Sequence, residues 1–241
     1  MLSTRHNSLT DAIKPLDHQV NRNDSNPLPD ARACCYIISA SKGRGKTTLL
    51  LNLLQTPKKK GGLKKRFDNI FLFSPTARSD TKMGKLVKEL QQEDKFFEVF
   101  DGESSDEVIE RIKQLHEEDP ESRNCIILDD CMMDLPKSFE RTGGLNRFII
   151  QTRHFNCWCI FLTQRYVGVN RLIRSQADLI SFFKTDNSKE LQALVDDVNM
   201  DKNVLQSLYE FATEKPNDFL HINLLNRTFY KKFDPIIIDT K

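Results

Sequence analysis

Ala40-Ser41-Lys42-Gly43-Arg44-Gly45-Lys46-Thr47-Thr48 lies between two apolar runs, Cys34 to Ile38 before it and Leu49 to Leu54 after it. A strand, a glycine-bearing loop and a helix opening on Gly45-Lys46-Thr47 make a cradle where backbone N–H groups and a helix N-terminus meet an anion. Ser41, Lys42, Gly43, Arg44, Gly45 and Thr48 would surround the phosphates of a nucleotide. Lys46 would reach the β- and γ-phosphates, and the Thr47 hydroxyl would ligate Mg²⁺. This is a Walker A pattern with one departure: Ala40 stands where G-x-x-x-x-G-K-[ST] begins with glycine. Alanine serves there if its φ is negative.

A second stretch, Asn124-Cys125-Ile126-Ile127-Leu128-Asp129-Asp130, is apolar until it ends in adjacent carboxylates. A buried strand of this kind is a Walker B pattern, and its tip delivers one acid to a Mg²⁺ shell and another to an attacking water. Asp129 is assigned to the metal and Asp130 to the water. Apolar strands often end in Asp at a turn, so the assignment draws its force from the pairing with Lys46 and Thr47. A further buried strand, Asn156 to Thr163, closes on Gln164, which can hydrogen-bond a γ-phosphate or orient the water. Arg165, Arg171 and Arg174 follow, and one of them, or Arg153, can neutralise transition-state charge at a neighbouring subunit's γ-phosphate.

The remainder fits one α/β domain over residues 33–241, preceded by a polar, proline-broken arm over residues 1–32. Asp68 to Ser74 reads as a strand stopped by Pro75, Thr81 to Gln92 as an amphipathic helix, and Phe96 to Phe100 as a short strand. Ser104 or Ser105 caps a helix facing inward with Val108, Ile109, Ile112 and Leu115, and Ser138 to Thr152 forms another. Asp178 to Lys184 adds a parallel strand and two helices follow. Phe219 to Leu225 and Thr228 to Phe233 make a terminal β-hairpin about Asn226-Arg227. The fold class is therefore α/β, a mostly parallel sheet flanked by helices with a C-terminal β-hairpin.

The 241 residues carry a net charge of +2, so any nucleic-acid contact must come from a local patch. The stretch Pro57 to Arg66, with six positive charges and two glycines, is either a solvated loop or a contact to nucleic-acid phosphates. No apolar run reaches the ~18 residues needed to cross a bilayer, and the N-terminus lacks a signal-peptide core. A soluble intracellular protein is expected. The six cysteines fall mostly within apolar runs and read as free buried thiols; their spacing contains no C-x-x-C, which argues against a zinc site.

In order and spacing, Gly45-Lys46-Thr47, Phe73-Ser74-Pro75-Thr76, Leu128-Asp129-Asp130, Arg153-His154, Thr163-Gln164, Arg171 and Arg174 resemble the FtsK/HerA superfamily of P-loop ATPases. More closely, they are similar to the DNA-packaging ATPases of poxviruses, other large DNA viruses, virophages and polinton-type elements, over about residues 33 to 184. The resemblance implies a RecA-like sheet, ATP and Mg²⁺, and a ring-shaped homo-oligomer. It also implies sequence-independent movement of double-stranded DNA into a preformed capsid, with capsid or portal-type components as partners. The site of action would be the virus assembly site in host cytoplasm or nucleus. On this resemblance Gln164 matches the sensor glutamine, and Arg153 is the first choice for the arginine acting across the subunit boundary. The sequence departs in Ala40 and in Asp130, where the pattern has Glu; Asp is one methylene shorter and must sit closer to the water.

Three other readings remain. A nucleoside or nucleotide kinase shares the Walker A loop but would leave Gln164 idle. A non-hydrolysing assembly factor would need Lys46 and Asp129 but neither Asp130 nor Gln164. A helicase of the same superfamily shares the whole motif set, and the chain offers no accessory domain for strand separation.

Overall fold

Five runs in which almost every residue is apolar, CCYIIS, NIFLF, NCIILD, CWCIFLT and LISFF, form strands covered on both faces. They are β1 (Cys34–Ser39), β2 (Asn69–Phe73), β4 (Asn124–Asp129), β5 (Cys157–Thr163) and β6 (Leu179–Phe183). The short β3 (Phe96–Phe97) joins them, as do β7 (Phe219–Asn223), β8 (Thr228–Lys231) and β9 (Asp234–Pro235). These elements come from a computed structural model that describes residues 26–131 and 144–237.

Among the described residues nine strands make one sheet in the order β3-β2-β4-β5-β1-β6-β7-β8-β9. All pairings from β3 to β6 are parallel, and those from β6 to β9 are antiparallel. The expected α/β architecture is present. The expected hairpin is there as β7 and β8, with β9 extending it to a three-stranded meander. Its four-residue loop needs no glycine because Arg227 takes φ 57° and the Asn226 side chain accepts from Thr228 N–H at 3.1 Å.

Alternate residues of each strand feed two core layers. Tyr36 and Ile38 of β1 pack with Leu49, Leu50 and Leu53 of α1 (Lys46–Gln55) and with Val87 and Leu90 of α2 (Gly84–Gln92). Cys35 and Ile37 face the other layer. It is built on α3 (Gly102–Glu118), α4 (Gly144–Gln151), α5 (Arg171–Ser175), α6 (Ser188–Val198) and α7 (Lys202–Ala212). All six cysteines are free and buried.

Local details differ from the sequence reading. The cap of α3 is Asp101: its carboxylate accepts from Ser104 N–H at 2.8 Å while the Ser104 hydroxyl returns to Asp101 N–H, a reciprocal capping box. The strand expected over residues 96–100 stops after Phe97. The helix expected from Ser138 is described only as α4, with Leu145, Phe148 and Ile149 buried as expected; its earlier part lies outside the described residues. So do residues 1–25 of the arm.

The described end of that arm lies on the body. Leu28 and Ala31 are buried, and Trp158 Nε1 donates to Ala31 O at 2.9 Å. A buried relay fixes Pro27. His221 Nε2 donates to Pro27 O at 2.9 Å, so its Nδ1 accepts from Ser181 Oγ at 3.0 Å, and Ser181 in turn accepts from Tyr36 OH at 2.8 Å. Burial drops the His221 pKa to about 4, with the Pro27 contact pulling the other way.

The folded chain thus keeps His221 neutral where the unfolded chain protonates it near 6.5. This contribution to stability is complete above 6.5 and falls as pH drops toward 4, by roughly 3 kcal/mol in all. Urea unfolding at pH 7, 5.5 and 4 should show that slope in the native chain and lose it in His221→Gln. Equal slopes in both would remove His221 as its source.

Candidate active site

Parallel strands bring their C-terminal ends to one edge of the sheet, and the candidate residues meet there. After Ser39 the chain turns through Gly43 (φ 77°) and Gly45 (φ 102°) into α1. Both are in the left-handed region, where a Cβ is costly. Ala40 is outside that region; its N–H donates to Thr163 O at 3.0 Å and continues the strand pairing, so alanine fits where the pattern has glycine. Ser41 and Lys42 are exposed, and Arg44 N–H donates to Ser41 O at 3.1 Å.

Lys46 opens α1 and points into a nest of acceptors. Its ammonium is hydrogen-bonded to Asp130 Oδ2 and lies 3.9 Å from Asp129 Oδ1. Gln164, one residue beyond β5, donates from Nε2 to the same Asp130 oxygen at 2.9 Å. Asp130 reaches both partners because its backbone turns to φ 55° while its N–H still donates to Leu162 O at 2.9 Å. The order β4-β5-β1 sets the three strand ends side by side.

Asp129 is 4% exposed, and burial pushes its carboxyl above the ordinary range. The Lys46 ammonium and a hydrogen bond from Ser74 pull it back, while the Asp130 charge adds to the rise. Ser74 Oγ, at the end of β2, donates to Asp129 Oδ2 at 2.9 Å. That leaves Asp129 Oδ1 buried without a hydrogen-bond donor, and Asp130 Oδ1 is in the same condition. Thr47 is half-buried in the first turn of α1, and Thr48 is exposed and accepts from Lys82 Nζ at 3.3 Å.

The family model of the Poxvirus A32 protein matches residues 33–219. The chain belongs to the poxvirus A32 protein family. Among solved structures it is similar to the genome packaging NTPase B204 from Sulfolobus turreted icosahedral virus 2. In the complex of B204 with AMP, the TM-score is 0.61 at 16% identity over 86% of this chain and 99% of that one. The complex with ATP-gammaS gives 0.59 and 18% over the same shares. B204, the DNA-packaging ATPase from Sulfolobus turreted icosahedral virus, gives 0.57 and 20%, covering 84% and 97%. At such identities the likeness is one of fold, and it bears out the RecA-like sheet. No curated protein sequence matches the chain.

In this A32-family chain Lys46, Asp129, Asp130 and Gln164 form one cluster, whereas Arg153 stands apart. It lies in the 3-10 turn Thr152–Phe155 ahead of β5, near Asp178 at the opposite edge of the sheet. The length of β5 puts it roughly 20 Å from Lys46. Arg174 is tied to Asp197 at 2.7 Å and lies over the Tyr166 ring; Arg165 is exposed beside Gln164. Ser74, in the stretch Phe73-Ser74-Pro75-Thr76, gains its role only from the fold. Its signal is a hydroxyl ending a buried strand next to the Walker B strand, one residue past the pair Phe73 and Leu128.

Without nucleotide, Lys46→Ala leaves two carboxylates facing each other with no counter-charge. The unfolding free energy should fall by about 3 kcal/mol, and adding Asp130→Asn should restore much of it. Strictly additive losses in a double-mutant cycle would show that the two side chains do not interact.

Proposed function

We infer that this chain is an ATP-hydrolysing motor that drives double-stranded DNA into a preformed capsid. The observation that carries the reading is the convergence of Lys46, Asp129, Asp130 and Gln164 at the C-terminal edge of an A32-family sheet. A kinase reading loses ground because Gln164 is not idle: it holds the carboxylate assigned to the water.

The residues divide the work. Backbone N–H groups from Gly43 to Thr47 receive the phosphates, and Lys46 transfers from Asp130 to their β and γ oxygens. Asp130, freed of that ammonium, accepts the proton of the attacking water, with Gln164 orienting the water or the γ-phosphate. Asp129 Oδ1 and the Thr47 hydroxyl would hold Mg²⁺, and the buried, undonated Oδ1 is an acceptor of the kind such an ion satisfies. When bound, the ion offsets charge on the β- and γ-phosphoryl oxygens. Ser74 keeps Oδ1 in position by occupying Oδ2.

Translocation needs more than one subunit. In a ring, Arg153, which does not reach its own site, is available to a neighbour's γ-phosphate, and hydrolysis would release that contact and shift the boundary. DNA would be held by phosphates alone, so that any sequence passes. In the basic stretch Lys59, Lys64 and Lys65 remain exposed for this. Lys58 and Arg66 do not serve: Lys58 pairs with Asp30 at 2.8 Å, and Arg66 is buried over Trp158, donating to Pro29 O and Ala31 O. Capsid or portal-type components are the expected partners, at the assembly site in host cytoplasm or nucleus. Among the described residues no helix is long and apolar enough to cross a membrane.

Steady-state ATP hydrolysis with and without duplex DNA tests the proposal. Turnover should rise with duplex of any sequence, vanish in Lys46→Ala, and fall at least about 100-fold in Asp130→Asn with ATP binding retained. Turnover indifferent to DNA but raised by a small phosphate acceptor would replace the motor with a kinase.

A further inference from the structure

A cavity of about 610 Å³ runs along the outer face of α1, starting at the phosphate loop rather than at the carboxylates. Gly43, Gly45 and Thr48 form one end, and Gly61 and Gly62 the other. Pockets for small organic ligands span roughly 300–1,000 Å³, so the size is that of a ligand site.

Opposite the helix stands an aromatic wall supplied by the C-terminal strands. Phe183 and Phe219 have ring centroids 4.8 Å apart, and Phe233 meets Phe219 edge-on at 5.4 Å. Phe183 and Phe219 are buried, while Phe233 is half-buried and lines the cavity. The wall touches the phosphate loop itself: a Cβ on Gly45 would lie 3.8 Å from Phe183 Cε1 and 4.0 Å from Asn217 Oδ1. Asn217 therefore presents an amide, donor and acceptor together, between the loop and the wall.

The helix side is polar. Thr48 and Asn52, four residues apart on one face of α1, and Thr56 just past its end follow one another along the cavity. The far end is closed by a tight turn in which Leu63 N–H donates to Leu53 O at 2.7 Å and Lys64 N–H to Thr56 O at 2.9 Å. A Cβ on Gly62 would fall 2.1 Å from Thr56 O, so only glycine lets the turn close there. The lysine- and glycine-rich stretch is thus partly a wall of this cavity, with Lys60 on its lining.

Anion loop, hydroxyl- and amide-bearing helix face, and aromatic wall follow one another as phosphate, sugar and base do in a nucleotide. We propose that this cavity is the nucleoside subsite: the base lies against Phe233 and Phe219, Asn217 reads its edge, and the ribose faces Thr48, Asn52 and Thr56. The assignment rests on the nucleotide reading above, because it is the phosphates in the loop that lead the base into the cavity. Rings are suited to the task, since every base offers a π-face and discrimination then falls to the amide.

Isothermal titration of the full chain with ATP, GTP and inorganic tripolyphosphate separates base from phosphate. The native chain should bind ATP at least about tenfold more tightly than tripolyphosphate, a difference of about 1.4 kcal/mol. Phe233→Ala should lose most of that advantage with tripolyphosphate affinity unchanged, and Phe233→Leu, which keeps apolar volume, should lose part of it. Asn217→Gly suits the left-handed φ of 64° and removes the amide; it should change the ratio of ATP to GTP affinity several-fold. ATP affinity and base preference unchanged in all three variants would overturn the subsite and leave the phosphate loop standing. Binding of ATP and tripolyphosphate no tighter in the native chain than in Lys46→Ala would overturn the nucleotide reading, and the subsite with it.

Discussion

The end of β5 stands between the ends of β1 and β4, and the chemistry of the molecule depends on that adjacency. Parallel strands share a C-terminal edge, so Lys46, Asp129, Asp130 and Gln164 meet without long loops to carry them. The meeting is electrically awkward: two adjacent carboxylates and one ammonium are held away from water, and desolvation alone would drive Asp129 toward its neutral form. Lys46 and Ser74 offset that tendency from different elements. Asp130 adopts a left-handed backbone to share one oxygen between Lys46 and Gln164. Aspartate tolerates that conformation better than most residues with a Cβ, and the cost is of order 1 kcal/mol.

Beneath this edge the sheet is a two-sided core, and its antiparallel extension does two jobs. Strands β7 to β9 cover the open side of β6, and their aromatic residues run from the buried His221 relay to the cavity beside the phosphate loop. Phe233 touches both, with its ring 5.1 Å from His221 and 5.4 Å from Phe219. The arm segment bound by His221 and the groove wall are therefore neighbours in one packed cluster, and a change that loosens one is felt by the other.

Local chemistry made much of this legible in the sequence. A glycine loop before Lys46, paired acids after an apolar run and a glutamine after the next strand are patterns of a few residues, and each sits where it was read. What the sequence left hidden depends on partners far along the chain. Charge counting gave Arg66 to a basic patch, but Trp158 and the carbonyls of Pro29 and Ala31 draw its guanidinium into the interior. Ser104 or Ser105 was read as the cap because serine favours that position; Asp101 takes it, and Ser104 completes the reciprocal bond. Arg174 was read with Arg165 and Arg171 as an arginine that can reach a γ-phosphate, and no local pattern foretells its bond to Asp197, 23 residues on. The cavity joins α1 to residues beyond 180, a juxtaposition that no local period encodes.

Gln164 connects the site to the rest of the fold in a way that constrains any motion. Across it, Thr163 Oγ1 accepts from Arg165 N–H at 3.1 Å and donates to Arg165 O at 2.8 Å, fixing the exit from β5. Glu190, buried in the first turn of α6, then accepts from Val167 N–H at 3.0 Å and lies 3.7 Å from Arg165 Nε. On the proposed reading, phosphates would draw Lys46 away and leave the Asp130 side chain with Gln164, and the pair would settle anew around water or γ-phosphate. With the next residues anchored to Thr163 and Glu190, that adjustment is confined to the glutamine side chain or moves Arg165 and α6 together. Arg165 is exposed on the surface that borders the site, so the second course would carry nucleotide state to whatever packs against that surface.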